Sequence, residues 1–448
     1  MVSDKIYSLE TDPRENDKLS VCIVGIGAAG LCSLRHFSQR LDLFDIDAYE
    51  QTDDIGGTWN YTDHIGFDPK NGLPVHSSMY KNLYTNLPME IMEFPDYKSN
   101  SKRSYVHHTQ VLNYLKQYAR HFDLYRFMKF NHIISSIDRS DNKWNVIVED
   151  LIAGQKIQKH FDIILICTGR YSIPFWPKYK SLPLFQGNII HSHDYRVPEV
   201  YQNQRVAVIG GGLSGVDITI ELSRHCKEVI FINRGKHQYK QMPNNIRQVN
   251  VEVEEFRSNS MIVKDRKTGQ LTSYDVDSII MATGYLYNIR YLNSNAGIQM
   301  NPDGTINGLY KHLINIAHPS MALLGVAHHV VPLPLYHQQI LYYMKILTGE
   351  IRLPSKSDMI KDTETDLQER MMQGLRPKDR HLFQADRMES YLDDLSEQAK
   401  IRPLNKVILK LHRELFAVRL ANILTYKRFD YRLISDEDYV AIENNQQH

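Results

Sequence analysis

The stretch Val21-Cys22-Ile23-Val24-Gly25-Ile26-Gly27-Ala28-Ala29-Gly30 decides the fold, because the chain later repeats it in kind as Val206-Ala207-Val208-Ile209-Gly210-Gly211-Gly212-Leu213-Ser214-Gly215. In each, a short apolar run reads as a buried strand, a glycine turn ends it and a helical pattern opens. The glycines have separate jobs. Gly25 allows the tight turn, Gly27 lets the backbone approach a pyrophosphate, and Gly30 permits close packing of helix on strand. The helix entered through Ala28 and Ala29 would aim its free N–H groups and positive dipole end at that phosphate. Gly210, Gly212 and Gly215 repeat the scheme, with Ser214, Val216 and Asp217 in the first turns of the second helix. One such loop is a weak signal; two in a strand–turn–helix setting imply two dinucleotides in one chain and electron transfer between them.

Outward from the loops, the ends of the following strands separate the two sites. Phe44–Tyr49 is the second strand of the first unit, and Glu50 lies 20 residues past Gly30, where a carboxylate binds a ribose 2′-hydroxyl. In the second unit Asn233-Arg234-Gly235-Lys236 occupies that place, and Arg234 lies 19 residues past Gly215. A guanidinium there suits a 2′-phosphate, which points to NADPH rather than NADH. Gly56-Gly57-Thr58-Trp59 suggests backbone packed tightly on a large cofactor. Further strands are expected at residues 161–167 and 277–281, helices at 28–40, 109–122 and 214–226, then mostly helical patterns to the end. The expected fold class is α/β: two Rossmann-like dinucleotide-binding domains, the smaller inserted in the larger, plus a helical C-terminal section. The expected boundaries are residues 1–200 for the first domain, 201–314 for the inserted one, and 315–448 for the return.

Composition narrows the partners. The 448 residues hold 53 Lys plus Arg against 52 Asp plus Glu, so no charge surplus favours nucleic acid or an anionic membrane. Cys22, Cys32, Cys167 and Cys226 form no Cys-x-x-Cys, which argues against a redox dithiol or a disulfide framework. Twenty histidines raise the question of a metal, at His328-His329 and His191-x-His193; neither pair has a Cys or carboxylate cluster at ligand spacing, so none is expected. His328 and His329 follow a strand end, where a substrate-facing and a packing role stand equally open. The polar N-terminus lacks the apolar core of a signal peptide, and the amphipathic stretch 403–426 is broken by charges. The expectation is a cytoplasmic protein with no membrane association, or a secreted one if a leader was removed before this numbering. The helical section from about Met359 can cover either the first domain or an interface in a homo-oligomer.

Between the loops, Phe185-x-Gly187-x-x-x-His191-x-x-x-Tyr195 resembles the fingerprint of class B flavin-dependent monooxygenases. Ser78-Met79-Tyr80-Lys81-Asn82-Leu83-Tyr84-Thr85-Asn86-Leu87-Pro88 is similar to the stretch that brings an Asn to the flavin in flavin-containing monooxygenases, and Gln338-Gln339 followed by Gly349 and Leu353-Pro354 continues the match. The likeness runs from about Leu19 to Pro354 and is greatest to the soluble insect branch, which includes pyrrolizidine-alkaloid N-oxygenases. It implies FAD in the first domain and NADPH in the second. It further implies oxygenation of tertiary amines or sulfides by O2 through a C4a-hydroperoxyflavin. Carried over residue by residue, it places Thr58 and Trp59 at the flavin, Thr85 and Asn86 at NADP and the oxygenated flavin, and Ser214 and Asp217 at NADP; Gly57 and Gln339 are also expected to bind cofactor. Asn86 is the expected catalytic residue. His191 and Tyr195 would couple the domains. Tyr195-Arg196 replaces the Trp-Pro or Trp-Asp of the Baeyer–Villiger branch, which argues against ketone oxidation, and His337 stands where many relatives have Glu. The alternative activity is that of an NADPH oxidase or flavin reductase without substrate oxygenation.

Overall fold

The computed structural model describes residues 18–235, 238–301 and 303–444. The polar N-terminal stretch through Asp17, Lys236 of the second strand-end motif, and the end of the polar tail lie outside the described residues. Two sheets carry the molecule. The larger has seven strands, in the order Leu309–Tyr310, Ile314–Asn315, Met321–Leu323, Ile163–Ile166, Leu19–Val24, Phe44–Tyr49 and Met128–Lys129. From Met321–Leu323 to Met128–Lys129 its pairings are all parallel, with Leu19 opposite Phe44 and Val21 opposite Ile163. The smaller has five parallel strands, in the order Ile246–Val249, Glu228–Ile232, Arg205–Ile209, Ser278–Met281 and Asn188–His191. Both are the α/β, Rossmann-like arrangement expected. The central strands are largely apolar runs because both faces of each sheet are covered, one by helices and the other by an antiparallel meander; Ile163–Ile166 and Ser278–Met281 are buried throughout. The smaller sheet takes its edge strand Asn188–His191 from before residue 201, and the larger takes Leu309–Tyr310 from before residue 315.

In each unit an antiparallel three-stranded meander intervenes between two strands of the parallel sheet. His132–Ser140, Lys143–Asp150 and Gln155–Phe161 precede Ile163–Ile166; Val251–Arg257, Ser260–Asp265 and Leu271–Asp275 precede Ser278–Met281. The first is fastened by Trp144, fully buried, whose indole N–H donates to Ser320 Oγ at 3.0 Å.

The late chain forms helices Pro332–Leu347, Lys356–Met372, Ala385–Ala399 and Lys406–Ala421. Of the amphipathic stretch 403–426, only Lys406–Ala421 is helical, with Pro403 outside the regular turns and Asn422 capping the end. The expectation of helical patterns to the end is overturned by an antiparallel hairpin, Phe429–Leu433 with Tyr439–Glu443. Alternating aromatic and polar residues suit a half-buried strand, and the hairpin is pinned to the early chain: Tyr431 N–H donates to Ser104 Oγ at 2.7 Å and Arg103 Nε to Asp430 at 3.0 Å. Among the described residues no helix is long and apolar enough to cross a membrane.

Candidate active site

Both glycine turns open on one cavity of about 2430 Å³. That exceeds a pocket for one drug-sized ligand (roughly 300–1,000 Å³), so more than one large ligand fits. Gly25, Gly27, Ala28, Ala29, Glu50, Gly57, Thr58, Trp59, Thr85 and Asn86 line it from one side, and Gly212, Ser214, Gly215, Val216 and Asp217 from the other. Gly27 and Gly212 are the N-caps of helices Ala28–Phe37 and Leu213–Leu222; neither helix has a side-chain cap or an acidic residue in its first turn. Each therefore presents free N–H groups and the positive end of its dipole to the cavity, the arrangement an anion needs. A Cβ on Gly30 would sit 2.0 Å from Gly25 O, and one on Gly215 2.0 Å from Gly210 O, so both glycines are required by helix–turn packing.

The carboxylate beside the first turn is fixed in advance. Glu50 is 5% exposed; its Oε2 accepts from Ile26 N–H at 2.9 Å, and its Oε1 from Thr52 N–H at 3.1 Å and Thr52 Oγ1 at 3.0 Å. Four of the expected residues stand off the wall. Gly30 and Gly210 lie behind it. Arg234 is exposed at the strand end while its neighbours Asn233 and Gly235 reach the cavity. Gln339 is fully buried in helix Pro332–Leu347 and donates to Tyr391 Oη at 2.9 Å.

Asn86 is half-buried on the wall, in a segment braced from three sides. Thr85 N–H donates to Val106 O at 2.8 Å and Val106 N–H to Thr85 Oγ1 at 3.1 Å, so the Thr85 hydroxyl serves the backbone. Lys427 Nζ donates to Tyr84 O at 3.1 Å and to Asp217 Oδ1 at 3.1 Å, while the Tyr80 hydroxyl donates to Asp217 Oδ2. Asp217, expected to face NADP, thus joins the second helix to the Asn86 segment and to the C-terminal chain. Nothing in Tyr426-Lys427-Arg428 distinguished Lys427 in the sequence; its partners lie hundreds of residues away.

The motif between the loops builds the joint. His191 is fully buried and its pKa is pushed down to about 4, chiefly by burial and then by His193, so its ring is neutral near pH 7. Tyr195 donates to Glu221 Oε2 at 2.9 Å, and Glu221 Oε1 accepts from Asn82 at 2.7 Å. Arg196, 8% exposed, donates to the carbonyls of Thr62, His64, Ser77, His193 and Tyr195 at 2.7–3.3 Å. A planar fork with five donors can satisfy carbonyls of three separate segments. Sequence reading noticed Arg196 only as a departure from another branch. The wall also carries Arg170, His328, His329, His412 and Arg419. Burial, then Arg170, pushes the His328 pKa down to about 2; burial, then Arg419, pushes His412 to about 4. The four cysteines are free and buried.

Residues 18–239 and 239–439 match the flavin-binding monooxygenase-like (FMO-like) family. The chain belongs to that family. It is a flavin-dependent monooxygenase, with flavin as the cofactor the family name implies. Senecionine N-oxygenase of Tyria jacobaeae is 28% identical over 426 residues, covering 94% of this chain and 91% of that protein. S-allyl-L-cysteine S-oxygenase from Allium sativum superposes with a TM-score of 0.83 at 29% identity, covering 92% of this chain and 95% of its own. Tmm from Pelagibacter sp. strain HTCC7211 does so at 0.81 and 25%, covering 92% and 93%. This flavoenzyme's first turn suits the phosphate end of a flavin cofactor: an uncapped helix end, a preset carboxylate, and Gly57 so close to Gly27 that a Cβ there would lie 3.1 Å from the Gly27 Cα.

Proposed function

We propose that this monooxygenase uses FAD, NADPH and O2 to N-oxygenate, or S-oxygenate, soft nucleophilic small molecules, with pyrrolizidine alkaloids such as senecionine within its range. The observation that carries this reading is the shared cavity: both helix N-termini and Asn86 face one space, so hydride donor, acceptor and guest can meet. Its likeness to an N-oxygenase and an S-oxygenase supports the two acceptor atoms. When bound, the flavin supplies hydride acceptance and O2 activation, so no catalytic triad is needed.

The chain's own residues bind, orient and exclude water. The N–H groups after Gly27 would hold the FAD pyrophosphate and Glu50 its ribose, with Gly57, Thr58 and Trp59 against the ring system and Gln339 supporting it from behind the wall. The N–H groups after Gly212, with Ser214 and Val216, would hold NADPH, and Arg234, swung in from the rim, its 2′-phosphate. Asp217, neutralised by Lys427, sets the height of the second helix against the Asn86 segment. The Asn86 carboxamide would donate to the activated oxygen and keep bulk water from it. Without that Asn86 donor, the flavin's oxidising equivalent would be lost as H2O2 rather than delivered to product. Asn86→Ser is therefore expected to keep its flavin and its NADPH consumption while the yield of oxygenated product per NADPH falls at least about tenfold. Coupled assays with tertiary amines, alkaloids and thioethers, with product mass and H2O2 measured together, test this. Unchanged coupling in the variant refutes the role of Asn86; wild-type consumption appearing wholly as H2O2 makes the protein an oxidase.

A further inference from the structure

We propose that Cys32, His36 and His337, closed by Asp96, form a binding site for a divalent transition metal, zinc by chemistry, apart from the nucleotide cavity. Cys32 and His36 are four residues apart on helix Ala28–Phe37 and so share one face. Helix Pro332–Leu347 packs on that face and brings His337 to it. The thiol sulfur and one nitrogen of each imidazole lie within 4.8 Å of one another. His36 Nε2 is 3.1 Å from His337 Nδ1, and Asp96 Oδ1 is 3.9 Å from the same His337 nitrogen. Bonds of about 2.0–2.3 Å in a tetrahedron set donor atoms roughly 3.3–3.8 Å apart, so small side-chain rotations close the cage.

The surroundings fit a cation. The other Asp96 oxygen is held by Arg35 Nε at 3.3 Å, and the Arg35 guanidinium lies 3.8 Å over the Phe122 ring, which orients the carboxylate. Cys32 is fully buried and His36 is 4% exposed, so water competes poorly for the metal. One thiolate, two imidazoles and a carboxylate are a borderline-soft set that favours zinc over magnesium or calcium. Binding would expel the thiol proton to solvent. None of the four residues lines the nucleotide cavity. The metal would clip the helix of the first glycine turn to the returning chain. Residue spacing could not show this site, because its ligands come from positions 32, 36, 96 and 337.

The test uses untagged full-length holoenzyme purified without chelator. Mass spectrometry of the metal content is expected to find about one zinc per chain, and cobalt(II) exchange to give tetrahedral d–d absorption to the red of the flavin bands. Cys32→Ser and His337→Gln should each lose the metal, while Cys226→Ser keeps it. Circular dichroism and flavin content report folding; should Cys32→Ser misfold, the partly exposed His337→Gln carries the reading. Wild-type protein that holds no transition metal and takes up no cobalt overturns the proposal, leaving a plain His36–His337 hydrogen bond. Equal metal content in wild type and both variants overturns it too.

Discussion

The helix after the first glycine turn buries eight of its ten residues, and the helix after the second buries five. The turns are alike: Gly25 N–H donates to Tyr49 O at 2.8 Å and Gly210 N–H to Ile232 O at 3.0 Å, and each later glycine packs on the carbonyl of the first. The cover differs. Helices His108–His121 and Pro332–Leu347 pack on the first, whereas Leu213, opening the second, is 46% exposed. The carboxylate beside the first turn is bonded in place, while Arg234 beside the second stands in solvent. An enclosed, preset site suits a prosthetic group held through many turnovers; an open one suits a coenzyme that must enter and leave. On the proposed reading, the duplication would supply the phosphate grip at both turns, and the later chain would set how tightly each cofactor is held.

The harshest way to break this comparison is to add one methyl to each turn. Gly30→Ala places a Cβ 2.0 Å from Gly25 O, inside a covered helix that cannot shift. It is expected to yield protein without flavin, or none that folds, at a cost of at least about 3 kcal/mol. Gly212→Ala meets nothing within 4 Å and should fold with its flavin; its methyl occupies the place of a phosphate, so KM for NADPH should rise about tenfold or more. Flavin absorbance and steady-state kinetics read both. Flavin loss from Gly212→Ala would erase the distinction between the sites.

Next in size is Glu50→Gln. The amide keeps an acceptor for one backbone N–H but turns NH2 toward another and loses the charge at the ribose. Flavin affinity should fall roughly tenfold, about 1.4 kcal/mol, with KM for NADPH unmoved. Flavin release on dilution measures it.

The contrast also marks what the sequence could show. Gly25, Gly27 and Gly30 were readable because a turn is decided by adjacent residues, and Glu50 because strand length fixes where it emerges. The hairpin Phe429–Leu433 with Tyr439–Glu443 was missed because one amphipathic helix dominated the window before it. The cluster of Arg170, His329 and Arg419 on the cavity wall was illegible, because these residues come together only after the late chain folds over the first unit. Arg196 was legible as an oddity but not as a staple, since its five carbonyls have no side-chain signature. Gln339 came from family resemblance, and geometry sets it behind the wall.

Arg234→Ala sharpens the open half. The side chain is exposed and makes no contribution to the core, so the variant should fold as wild type. If the rim guanidinium meets the 2′-phosphate, KM for NADPH rises several-fold to tenfold while that for NADH stays, since a charged hydrogen bond at a partly wet site is worth about 1–1.5 kcal/mol. A parallel rise with both coenzymes would show that Arg234 does not discriminate them.

The smallest effect concerns the cover over the first unit. Glu90, in the turn Met89–Met92 beside the C-terminal hairpin, has its pKa pushed up from 4.5 to about 7, chiefly by burial. Its Oε1 accepts from Ser104 Oγ at 2.8 Å, the hydroxyl that also receives Tyr431 N–H. In the unfolded chain Glu90 ionises near pH 4.5, whereas the folded protein holds the proton until about pH 7. The stability tied to the protonated form is full below the unfolded value, falls as pH rises through this window, and is lost above it. Glu90→Gln keeps the acceptor and removes the charge. Relative to wild type it should be neutral at acid pH and more stable above pH 7 by about 1–3 kcal/mol, discounted for residual exposure. Denaturant unfolding on both sides of the window reads the difference. Above pH 7 the covered first unit of Glu90→Gln should therefore hold its flavin more tightly than wild type, visible as slower flavin release with unchanged KM for NADPH; equal stability gains at both pH values would place the cause elsewhere than in the Glu90 proton.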